Sequence, residues 1–193
     1  MPQQEQDSLN LKNSFNLICV AASCMATTIV VFIRQGFGSE ALGFRGIGAV
    51  LLLLLAFMLT GQPVFLYYLV AWFAALILQR IQTGLLIRRG ERLHSRTDGV
   101  PVLAMLFTKS VSVAKLIVEP ILCFLASIGL SMAAAEWDSP SLACLSTWLL
   151  WGSMSLAVDH GVYEALQYRK LQSMRDARIE QEELMRRYEE EGW

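Results

Sequence analysis

The chain has 193 residues, 54% of them hydrophobic, and 16 Lys and Arg against 17 Asp and Glu give a formal net charge of −1. So even a balance makes no electrostatic case for a nucleic-acid partner, and none is expected. The apolar residues are gathered into blocks, and about 20 of them suffice to cross a bilayer, so the expected class is an all-α, multi-pass membrane protein.

The polar start of the chain carries Glu5, Asp7 and only Lys12 before the first apolar block at 15–33. A cleaved signal needs a basic leading region and a shorter apolar core, so this block reads as an uncleaved span. A Gly-rich loop with Arg34, Glu40 and Arg45 follows, and the run from Ile47 to Leu78 then holds no charge at all. One straight helix of about 32 residues would measure roughly 48 Å, too long for a single crossing. Gly61-Gln62-Pro63 lies near the middle and combines a turn-forming Gly with a Pro suited to a first helical turn. The run therefore reads as two spans, 44–60 and 63–79, with Tyr67 and Tyr68 near the membrane surface.

A basic loop is expected over 80–101, with Arg80, Arg88, Arg89, Arg92 and Arg96. Along 102–118 and just past it, Lys109, Ser112, Lys115 and Glu119 recur at helical spacing, which predicts an amphipathic helix lying in the interface with its lysines reaching the headgroups, the alternative being a spanning helix with this stripe against protein. The fourth span is expected at 120–135, opened by Pro120, and the fifth at 141–158 after the polar turn at Glu136-Trp137-Asp138-Ser139-Pro140. Residues 159–193 hold no apolar block and alternate charge densely, which predicts a long helix in water. The division is thus a membrane domain over 1–158 and a charged helix over 159–193.

Basic residues set the expected orientation. Arg34 and Arg45, the basic stretch and the charged tail fall on one side. The start of the chain and the turns at 61–63 and 136–140 fall on the other, where Lys12 is the only basic residue. Every connection then agrees with the N-terminus outside and the C-terminus in the cytoplasm, as for a bacterial inner membrane.

Chemistry-bearing residues are few. Glu119 can be an intramembrane carboxylate with Lys115 one turn earlier, or a cap for the helix that Pro120 opens. Asp159-His160 can be an acid–base pair or a polar boundary. His94 is the other histidine, and no nucleophile is spaced to complete a site. Cys19, Cys24, Cys123 and Cys144 lie in apolar blocks with no metal-ligand spacing, so they read as small hydrophobes. Trp148 and Trp151 lie inside the fifth span and are expected to face other helices. No phosphate-binding loop, zinc signature or nucleophile elbow is present, and no cofactor or metal is expected.

The tail is the most distinctive soluble feature. Arg178, Glu182, Arg186 and Glu190 stand in a ladder at i, i+4 spacing, and Tyr163, Leu166, Met174, Leu184 and Tyr188 form an apolar stripe interrupted by Lys170 and Gln181. The expectation is a non-enzymatic subunit that oligomerises or docks a partner through this stripe and through Arg88, Arg89, Arg92 and Arg96, as part of a multi-component bacterial membrane assembly. A second expectation is a small oligomeric channel or transporter lined by Lys109, Ser112, Lys115 and Glu119. An intramembrane enzyme using Glu119 or Asp159 and His160 is a third.

Overall fold

A computed structural model describes residues 2–38, 43–88, 98–102 and 104–190. Five helices account for most of it: α1 (Pro2–Ile33), α2 (Gly43–Thr60), α3 (Val64–Arg88), α4 (Val111–Glu136) and α5 (Pro140–Glu190). Each contains a stretch long and apolar enough to cross a membrane, as an all-α multi-pass protein requires. Two four-residue strands, β1 (Arg34–Phe37) and β2 (Asp98–Pro101), pair antiparallel with Arg34 opposite Pro101 and Phe37 opposite Asp98. Gly99 in β2 has φ +76°, and a Cβ there would meet the Gln35 carbonyl, so the pairing depends on glycine.

The helices overrun the expected spans. α1 begins at Pro2 instead of near residue 15, because the Gln-rich start favours helix and nothing after Pro2 breaks it. α3 continues to Arg88, so the first nine residues of the expected basic loop are helical. Long basic side chains can reach headgroups from a helix, so charge alone does not end one.

The predicted interfacial helix over 102–118 is not formed. Ala104–Leu106 make one tight turn, and Ser110 then caps a helix whose first turns, from Val111, belong to the fourth span. Pro120 does not open that helix. A wider π turn over Ala114–Val118 precedes it, in which the Glu119 N–H donates to Ala114 O. Such a turn leaves one carbonyl without its usual donor, which suits a residue that has no N–H to give.

The turns at the other end are built as expected. The Gly61 N–H donates to Phe57 O at 2.8 Å, ending α2, and Pro63 O accepts from Leu66 at the start of α3. After α4, Asp138 takes a left-handed conformation (φ 46°) and the Ser139 N–H donates to Ala134 O at 3.1 Å. Ser141 Oγ donates to Gln62 Oε1 at 2.8 Å, which ties both turns together at one end of the bundle.

Lipid is as apolar as a leucine side chain, so burial from water does not pull these helices together; close packing and hydrogen bonds do. Ala26, Ala49, Trp72 and Leu156 are all essentially buried in one cluster, and Leu53, Ala56 and Phe65 form a second. Trp148 packs edge-on to Phe65 with ring centroids 5.3 Å apart, as expected for an aromatic inside a span. Trp151 is 61% exposed and lines a shallow pocket together with Leu52 and Leu55 of α2.

The chain divides into two compact units, Met1–Asp159 and His160–Trp193. In the second, every side chain from Ala165 to Glu190 is exposed.

At Gly48 a Cβ would strike Cys24 Sγ, so α1 and α2 approach too closely there for any side chain. Gly48→Ala should therefore cost about 1–3 kcal/mol of stability through overpacking. Thermal unfolding in detergent of G48A, C24A and the double variant checks this: C24A should return most of the loss, and additive effects would show that the two positions are not in contact.

Candidate functional site

α1 ends at Ile33 within the packed bundle, so its last carbonyls need donors from elsewhere. Helix α3 supplies one to Val31 O and adds second donors to the Thr27 and Thr28 carbonyls, which lie within α1. Tyr68 Oη donates to Thr28 O at 3.0 Å and Trp72 Nε1 to Thr27 O at 3.2 Å. Further along, Gln79 Nε2 donates to Val31 O at 3.3 Å and Arg34 O at 2.5 Å, and Thr83 Oγ1 to Phe37 O at 3.1 Å. Positions 68, 72, 79 and 83 share one helix face, so α3 forms a polar seam along the last turns of α1 and all of β1. Each such interhelical bond contributes on average about 0.6 kcal/mol in a bilayer.

This seam holds Arg34 in place. Its backbone is fixed by β2 on one side and Gln79 on the other, and its guanidinium turns inward to Glu119. Arg34 Nε lies 3.0 and 2.9 Å from the two carboxylate oxygens, and Nη2 also donates to Oε2. Arg34 is 4% exposed and Glu119 2%, so the pair is sealed from its surroundings. Guanidinium and carboxylate meet in a forked geometry that satisfies several donors and acceptors at once, the condition under which a buried pair is tolerated. Glu119 closes the π turn of α4, which sets the direction of its side chain.

Beside the pair lies a cavity of about 400 Å³ between α1, α3, α4 and α5, within the size range of small-molecule sites. Apart from Glu119 and Tyr68 its walls are apolar, and the Ala104 turn bounds it. Among the described residues, no group of His, Cys, Asp and Glu is placed to hold a metal ion.

The other expected residues are scattered. Asp159 and His160 do not act on a common atom: Asp159 faces Arg45 at 3.8 Å, whereas His160 stacks on Tyr163 and has Nε2 3.4 Å from Glu164. Lys115 is not the partner found for Glu119; Arg34 is. Lys109 precedes α4, Ser112 is exposed and Glu119 is buried, so the expected polar stripe is not a single lining. Arg88 is exposed at the end of α3, while Arg89, Arg92, His94 and Arg96 lie outside the described residues. In the tail, Arg178 reaches Glu182 at 2.9 Å and Arg186 reaches Glu190 at 3.7 Å, so two of the expected rungs are present.

Arg34, Gln79 and Thr83 were not singled out in the sequence. Gln79 and Thr83 did carry a signal, since they are polar residues four apart following Tyr68 and Trp72 on one face of an apolar helix. Arg34 carried none beyond its charge. No protein-family model, curated protein or solved structure matches this chain.

The ion pair makes a sharp energetic prediction. Arg34→Met leaves a buried carboxylate, and Glu119→Gln leaves a buried guanidinium, so each should cost about 3–5 kcal/mol. The double variant R34M/E119Q removes both charges and should be more stable than either single variant. Denaturant titration in micelles measures this; a double variant as unstable as the sum of the singles would show the charges to be independent.

Proposed function

We propose that the protein is a non-enzymatic membrane subunit whose charged terminal helix is a docking element, for a partner or for further copies of the chain. One observation carries this reading: from Ala165 to Glu190 no side chain is buried, although the segment is helical throughout. Isolated helices are marginal in water, and exposed i, i+4 ion pairs add only about 0.3–0.5 kcal/mol each. Such a helix gains most when its apolar stripe is covered. Leu166, Met174, Leu184 and Tyr188 are each more than half exposed and lie on one face, with Tyr163 continuing it.

The proposed orientation places the N-terminus outside and this helix in the cytoplasm of a bacterial inner membrane. The positive-inside asymmetry supports it, as does the hydrogen bond that gathers the two arginine-free turns at one end of the bundle. A place in a multi-component bacterial membrane assembly is part of this proposal, and the exposed tail is what supports it. The channel alternative has less support, because Glu119 is turned into the bundle toward Arg34.

Deleting residues 169–193 should leave membrane insertion and thermal stability of the bundle unchanged and remove co-purifying proteins or higher oligomers in mild detergent. Quantitative mass spectrometry with native mass measurement reads both. Identical partners and mass from the shortened chain would overturn the docking role. A fluorescent protein fused at the C-terminus should fold and fluoresce, as cytoplasmic fusions do; a dark fusion with an active periplasmic reporter would reverse the orientation.

A further inference from the structure

The segment between β2 and α4 is short and tied down on both sides. Ala104 is buried, and its carbonyl accepts from the Phe107 N–H at 3.1 Å and the Thr108 N–H at 3.3 Å, which closes a tight turn. Thr108 Oγ1 then accepts from the Ser110 N–H at 3.3 Å, and Ser110 caps α4. Even so, Leu106 is 78% exposed and Phe107 69%. The turn holds these two large side chains away from the bundle, and in water their exposure would be unfavourable.

The depth of the turn follows from what it touches. It packs against the π turn of α4 at Ala114–Val118, and Ala104 shares a cavity wall with Glu119 and Leu122. The π turn lies roughly 6–12 Å beyond Ser110 along a helix that is long and apolar enough to cross a membrane. The chain therefore dips beside α4, climbs to the exposed Lys109 and Ser110, and descends again as α4. Val111, Val113 and Ile117 are exposed on those first turns, so the apolar surface of the span continues to Leu106 and Phe107.

Backbone chemistry limits how deep such a segment can go. A turn of three residues cannot pair all its N–H and C=O groups internally, and irregular backbone does not face hydrocarbon. Large apolar side chains on such a backbone suit the boundary between acyl chains and headgroups, where polar groups still meet water.

We propose that the turn at Leu106 and Phe107 is a re-entrant anchor. It inserts both side chains into the headgroup–acyl boundary of the membrane the chain spans, with Lys109 at headgroup level. The lipid surface is its partner, and the turn takes the place of the interfacial helix expected over 102–118. It fixes the level at which α4 enters the bilayer, and therefore the level of Glu119. The inference rests on the membrane location and is independent of what the terminal helix docks.

The test uses the full-length protein in liposomes with a fluorescent coumarin amino acid at position 106. The same label at Leu125, exposed midway along α4, is a deep control. Quenching is compared for aqueous iodide, for lipid nitroxides near the headgroup and for lipid nitroxides near the chain end. The label at 106 should be quenched most by the shallow nitroxide, and the label at 125 most by the deep one. Phe107→Asp should raise the ratio of iodide to shallow-nitroxide quenching at 106 by about tenfold, equivalent to about 1.4 kcal/mol, with thermal unfolding in detergent unchanged. Phe107→Ser is the milder variant should F107D fail to fold. Strongest quenching by iodide would place the turn in water and overturn the anchor; deep quenching at 125 in the same sample separates that result from a failure to insert. Strongest quenching at 106 by the deep nitroxide would overturn the boundary position. Shielding from all three quenchers would show that protein covers the turn, which also overturns the anchor.

Discussion

In a bilayer, a backbone carbonyl that leaves its helix must find a donor within the protein, and α1 ends where this demand falls inside the bundle. Its last turns and the strand that follows meet a seam of donors from α3, at Tyr68, Trp72, Gln79 and Thr83. Much else depends on that contact. It lets the chain pass from α1 to β1 without exposing polar backbone, and it fixes Arg34 so that its guanidinium points inward. Arg34 in turn neutralises Glu119, which allows the start of α4 to pack as part of a span. Through Glu119, a contact between α1 and α3 reaches the second half of the chain, 85 residues away in sequence.

The apolar blocks made the number of spans legible, because long uncharged runs have few alternatives at this composition. Both tight turns were legible too, since Gly61-Gln62-Pro63 and the residues from Glu136 to Pro140 carry local chemistry that stops and restarts a helix. Helix ends at the basic side were not. Arg80 marks the edge of the apolar run, yet it is no obstacle to helix, and α3 continues to Arg88. Pro120 misled for a related reason: its usual meaning is a helix start, but a π turn upstream absorbs it mid-helix. The amphipathic pattern over 102–118 was real as a pattern. Its polar positions do not form one face, with Lys109 ahead of the helix, Ser112 exposed and Glu119 buried.

Glu119 shows what a single sequence can and cannot specify about a site. The residue was recognisable as unusual, a carboxylate within an apolar stretch. Two local explanations were at hand, a partner at Lys115 or a helix cap, and both rest on neighbours in sequence. The actual partner is distant, and nothing local marks Arg34 apart from other arginines at span ends. The β1–β2 pairing was similarly invisible, because two strands of four residues are too short for alternation to show. Long-range polar contacts of this kind become legible only once the packing order of the helices is known.

The two halves of the proposed behaviour have different physical origins. The bundle is held by close approach and satisfied polar groups, so its identity depends on a few positions such as Gly48, Gln79 and the ion pair. The terminal helix is held by little beyond its own backbone and scattered ion pairs. A binding event there can stabilise up to the last turns of α5, because helix formation is cooperative along a continuous segment. Asp159, the last residue of the first unit, faces Arg45 at 3.8 Å. That pair is long and partly exposed, unlike Arg34 and Glu119, so it can be remade without leaving a buried charge unmatched.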